Sequence, residues 1–105
     1  MREETLHQTR SADGSRTVWA TVHDDGRLSI EGQSLSRSAD FFEYEWAFTV
    51  AADHVDRLRE ALGGAPGADP VPLLRELFEA DPFTDLRALL TGNDVAYEFW
   101  SRVGD

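Results

Sequence analysis

The chain contains no cysteine. That excludes a disulfide framework and any thiolate metal site, and it fits a reducing compartment. Lysine is missing as well: all ten basic residues are arginine, set against twenty acidic ones, for a formal charge of −10. Arginine and alanine take the place of lysine where coding sequence is rich in G and C, so we read this bias as a mark of genome composition. The acidic excess repels nucleic acid and anionic membranes, and neither is expected as a partner. Long apolar runs are lacking too. None approaches the roughly 18 residues that span a bilayer. The first ten residues, MREETLHQTR, hold no apolar stretch of the kind a signal peptide needs, so a cytoplasmic location is expected. There is no G-x-x-x-x-G-K-[ST], no G-x-G-x-x-G, no H-E-x-x-H and no G-x-S-x-G. No linker, repeat or composition shift divides the 105 residues, which suit one domain able to hold one core.

What is present is a change of period. The first half alternates. Thr5 to Arg10 reads as a strand, and "ADGS" (Ala12 to Ser15) and "DDG" (Asp24 to Gly26) are turn signals. Between them, "TVWATVH" sets Val18, Ala20 and Val22 against Trp19, Thr21 and His23. "RLSIE" puts Leu28 and Ile30 on one face. The polar "GQSLSRSAD", Gly32 to Asp40, reads as a loop, and the serines Ser34, Ser36 and Ser38 as loop serines. Then "DFFEYEWAF" sends Phe42, Tyr44, Trp46 and Phe48 one way and Glu43 and Glu45 the other.

From Ala51 the apolar spacing becomes helical. Val55, Leu58 and Leu62 form one stripe with Asp53 as the expected N-cap, stopped by Gly63 and Gly64. Asp69-Pro70 and Asp81-Pro82 each place a capping acid before proline, the pattern of a helix start. They lead stripes at Val71, Leu74, Leu77 and Phe78, and at Phe83, Leu86, Leu89 and Leu90. A last strand is expected from about Asp94 to Arg102, with Val95, Tyr97 and Phe99 on one face and Ala96, Glu98 and Trp100 on the other. Phe78, Phe83, Tyr97 and Phe99 are expected in the core. The pattern β-β-β-β-α-α-α-β predicts an α+β two-layer sandwich, a mainly antiparallel sheet with helices on one face.

The other face then looks outward, and alternation assigns it Trp19, Glu31, Glu43, Glu45, Glu98 and Trp100, with Thr21, His23, Ser29 and Thr49. Pure solvation does not call for tryptophan, whereas interfaces favour it. These six acids and tryptophans are therefore the candidate partner-binding residues, and a basic protein is the complementary partner. A homodimer packing this face against a second copy is the alternative. Another reading takes Glu43 and Glu45, roughly 7 Å apart at the strand rise, as an acid–base pair. A pocket between helices and sheet in a small enzyme or ligand binder is a related reading. His7 and His23, joined by Asp24 or Asp25, are a metal candidate if the first two strands pair. No catalytic residue, metal or cofactor is assigned.

At "RLSIEGQSL" and "FFEYEWAFTVAADHVDRLREALGG" the chain resembles a loose group of short acidic proteins from high-GC bacteria, some of them like the immunity proteins that neutralise toxins used between competing bacteria. The likeness covers Arg27 to Gly64 and rests on structural motifs. It implies a small two-layer binding domain and an inhibitor role. It carries over no functional residue and no target.

Overall fold

In the computed structural model, which describes residues 1–36 and 42–104, five antiparallel strands lie in chain order, β1 (Arg2–Ser11), β2 (Gly14–Val22), β3 (Leu28–Ser36), β4 (Phe42–Val50) and β5 (Tyr97–Gly104). Between β4 and β5 come a 3₁₀ turn (Ala52–His54) and three helices, α1 (Val55–Ala61), α2 (Pro70–Ala80) and α3 (Leu86–Gly92). This is the expected α+β architecture. The helical excursion leaves from β4, crosses the sheet until α2 packs on β1, and returns to pair β5 with β4.

Alternation explains the layering. Leu6, Val18, Ala20, Leu28, Ile30, Phe48 and Val50 face the helices and join Leu58, Val71, Leu74, Phe78, Leu86, Leu90 and Val95 in one buried core. Trp46 packs against this cluster and lies across Gly32, where a Cβ would sit 2.2 Å from its ring. Glycine is thus required there by close approach. At Gly26, φ of 91° closes the β2–β3 turn in a region that favours glycine. The start of α2 is as expected: Asp69 accepts from the Val71 N–H at 3.0 Å and Pro70 takes the first helical position.

Several expectations need correction. The stretch from Gly32 to Ser36 is strand, paired with Gly14 to Val18 on one side and Phe42 to Trp46 on the other. Its loop-like composition is overruled by two long neighbours, so Ser34 and Ser36 are strand residues. The remainder of that expected loop, residues 37–41 with Ser38, lies outside the described residues. Asp53 caps nothing; the chain enters α1 through the 3₁₀ turn, and no side chain caps either start. Asp81 does accept from the Phe83 N–H at 3.0 Å, yet the chain turns there, and α3 begins at Leu86 under Asp85, which accepts from Ala88. Phe83 is consequently 78% exposed, with the Arg16 guanidinium 4.8 Å from its ring centroid. Phe99 is also partly exposed, its ring tilted against Phe48 at 4.7 Å between centroids and lying beneath Arg87. β5 starts later than expected, at Tyr97, although Val95 is buried. No helix among the described residues is long and apolar enough to cross a membrane.

Candidate functional site

The strand registers turn the outward face into transverse rows. Trp19 stands opposite Glu31, Glu31 opposite Ala47, and Ala47 opposite Trp100. The next row runs Thr17, Gln33, Glu45, Arg102, and the row on the other side runs Thr21, Ser29, Thr49, Glu98. At about 4.8 Å per strand, the two tryptophan backbones are about 14 Å apart. Between them lies Ala47, small and buried. The result is a groove of about 240 Å³ lined by Trp19, Glu31, Gly32, Gln33, Glu45, Trp46 and Trp100.

Hydrogen bonds fix its walls. Glu31 Oε2 accepts from the Trp19 indole N–H at 2.9 Å and from the Thr21 hydroxyl at 2.9 Å. Charge-assisted bonds of this kind are the stronger sort, and they set the Trp19 ring orientation. No hydrogen bond among the described residues reaches Glu31 Oε1. Behind the groove, His23 Nε2, Ser29 Oγ and Thr49 Oγ1 form a chain of 2.8 and 2.9 Å contacts, and Thr21 and Ser29 are buried beneath their longer neighbours. Trp100 is 51% exposed and open on its outer side.

At the groove's acidic end, Gln33 donates to Glu43 Oε1 at 2.6 Å. The Glu43 and Glu45 carboxyls lie side by side, close enough to share a proton. That contact, reinforced by Gln33 and the positive charge of Arg102, holds Glu43 below the ordinary carboxylate range. The same contact, with some desolvation and the neighbouring negative charge, pushes Glu45 upward against the pull of Arg102. Both residues are half-buried on an open sheet face, so a proton on Glu45 can be shared with Glu43 but there is no enclosed site in which to use it.

Of the six candidate residues, Trp19, Glu31, Glu45 and Trp100 meet in one groove, and Glu43 adjoins it through Glu45. Glu98 lies apart, in a depression of about 250 Å³ with Arg27, Thr49, Ala51, Ala96 and Tyr97. Gln33 belongs to the site and was not singled out by sequence, hidden by the serine-rich composition around it. Arg102, expected from the sequence as an arginine able to pair the acids of this face, stands opposite Glu45.

The metal candidate does not assemble. His7 pairs with Val18 on the helix-facing side, while His23 bonds to Ser29 on the outer one. Among the described residues no group of three His, Asp or Glu is placed to hold an ion. His54 accepts from the Ala96 N–H at 3.0 Å and so anchors the entry to β5.

No protein-family model matches the chain, and neither a curated protein nor a solved structure is significantly similar to it.

Proposed function

We propose that the chain is a non-enzymatic binding domain that engages a basic protein through the outer sheet face. The observation that carries this is the groove walled by Trp19 and Trp100, with Glu31 and Glu45 inside it and Glu43 at its end. Indole faces and carboxylates together suit a guanidinium or ammonium group, which gains cation–π attraction from the former and charge-assisted hydrogen bonds from the latter. Net charge of −10 steers such a partner toward the face over distances up to the screening length. An immunity-type inhibitor of a basic toxin is the specific role suggested by the resemblance of Arg27 to Gly64.

The test is capture by tagged protein from lysates of its own cells and close relatives, run beside the Glu43→Gln/Glu45→Gln variant, then kinetics on whatever basic protein is retained. The variant should associate roughly tenfold more slowly at low salt, with a shallower salt dependence and little change in dissociation. Equal association rates for both proteins would remove the acidic face from the mechanism.

A second reading keeps Glu43 and Glu45 as an acid–base pair, favoured by their placement two residues apart on one face of β4, with Gln33 bonded to Glu43 and Arg102 opposite Glu45. The open sheet face weighs against it, since the two carboxyls are only half-buried and no cavity encloses them.

A further inference from the structure

We infer that β5 is the seam of a homodimer in which two copies pair antiparallel along this strand, about a two-fold axis through Trp100. β5 is the edge of the sheet, bonded to β4 on one side and, among the described residues, to nothing on the other. Among the described residues, three of the five large exposed apolar ones lie on it: Phe99, Trp100 and Val103, the last 69% exposed. An unbroken edge of this kind is a ready template for another strand.

Backbone geometry restricts the register. Ala51 N–H donates to the Ala96 carbonyl, so Ala96 turns its hydrogen-bonding groups toward β4. Residues two, four and six places on, Glu98, Trp100 and Arg102, do the same, because these directions alternate along a strand. Tyr97, Phe99, Ser101 and Val103 therefore aim their N–H and C=O groups outward. A second β5 can bond only where these odd-numbered residues stand opposite one another, and that requires the axis to pass through a residue.

Charge then selects among the allowed registers. With the axis at Trp100, Glu98 stands opposite Arg102 of the second copy, and Arg102 opposite its Glu98. Moving the axis to Phe99 or Ser101 loses both ion pairs. Placing it at Glu98 or Arg102 sets like charges face to face. In the Trp100 register the two indoles meet at a non-hydrogen-bonded site, where side chains of paired strands approach most closely. Tyr97 falls opposite Val103, and Phe99 opposite Ser101. About eight N–H···O bonds form from outward groups that the single chain leaves without a strand partner. Arg102 keeps Glu45 on its β4 side and gains Glu98 on the other. The outer faces of the two copies merge, and the two tryptophan-walled grooves flank the axis.

Sedimentation equilibrium on the full chain at concentrations up to roughly 100 µM tests this. The wild type should be dimeric. Glu98→Arg, which sets two guanidinium groups against each other across the seam, should raise the dissociation constant at least tenfold, and so should Arg102→Glu, which opposes two carboxylates; the double exchange should restore it to within about threefold. Ser101→Pro deletes an outward N–H that no bond among the described residues uses, so it should dissociate the dimer while leaving the dilute protein's melting temperature in place. A monomeric wild type overturns the proposal. A dimer indifferent to Glu98→Arg and Ser101→Pro overturns it equally, by placing the seam elsewhere.

Discussion

The two edges of the sheet are built differently. β1 opens with three consecutive charges, Arg2, Glu3 and Glu4, and its register slips between Thr5 and His7. That bulge turns both Leu6 and His7 toward the helices and twists the edge away from flat pairing. α2 lies against it. Arg75 donates to the Thr5 carbonyl at 3.4 Å and to Glu4, and Arg2 reaches both Asp69 oxygens at 2.9 and 3.0 Å. β5 lacks the bulge and the run of charges: its register with β4 runs without a slip from Tyr97 to Gly104, without proline, and its two charges are of opposite sign. α3 touches its inner face, through Arg87 over Phe99 and Thr91 at Tyr97. A chain that blunts one edge and leaves the other smooth has not neglected edges in general. The difference separates a strand integrated into the core from one still able to accept a partner.

The largest effect that sharpens this contrast is in the cores of the two edges. Leu6 is 3% exposed, so Leu6→Ala should cost about 2–5 kcal/mol in urea unfolding. Val103→Ala on β5 should stay within about 0.5 kcal/mol in dilute protein. A loss below about 1 kcal/mol at Leu6 would mean that β1 is as loosely held as β5, and the contrast would collapse.

A middle-sized effect belongs to the strap on β1. Burial works to raise the Asp69 carboxyl, but the Val71 N–H and the Arg2 guanidinium outweigh it and hold the group below its ordinary value. A depressed folded pKa means stability that is fully present above the unfolded value of about 4 and lost as pH falls through the folded one. Asp69→Asn keeps a capping oxygen and removes the charge. It should cost about 1 kcal/mol at neutral pH, a modest figure because the ion pair is half-exposed and screened. The deficit should shrink as pH drops below about 4, where the wild-type carboxyl takes up its own proton. A deficit independent of pH would assign the loss to capping geometry and not to Arg2.

How much of this was legible in the sequence depends on the range of the interaction. The alternation of Val18, Ala20 and Val22, of Leu28 and Ile30, and of Glu43 and Glu45 against Trp46 and Phe48 is local, and it assigned the two faces as the structure has them. Asp69-Pro70 was equally local and correct. Asp81-Pro82 has the same chemistry and failed, because a capping hydrogen bond at Phe83 is compatible with a single turn as well as with a helix. Phe83, expected inside, was thereby left outside. The second half of β3 failed for the opposite reason: nothing in "GQSLS" favours a strand, and only the registers of β2 and β4, together with the Trp46 ring over Gly32, hold it in place. The site divides the same way. Its acids and tryptophans were readable from alternation. That Trp19, Glu31, Ala47 and Trp100 share one row was not, since register joins residues far apart in the chain.

The smallest expected effect on stability is at Glu45, whose neighbours across the sheet are Gln33 and Arg102. Its carboxyl is pushed upward, first by the contact with Glu43. An acid with a raised folded pKa favours the fold while protonated and gives that up as pH rises through the folded value. The same contact holds Glu43 low, which favours the fold at neutral pH and offsets the cost at Glu45. Glu45→Gln should therefore leave the melting temperature nearly unchanged while slowing association with a basic partner. The two readouts must part company if the groove is a binding surface, because residues kept for a partner need not help the fold. A clear fall in melting temperature would instead make Glu45 part of the polar ladder that holds β3, β4 and β5 together, and the acidic row would owe its existence to the sheet and not to anything that meets it.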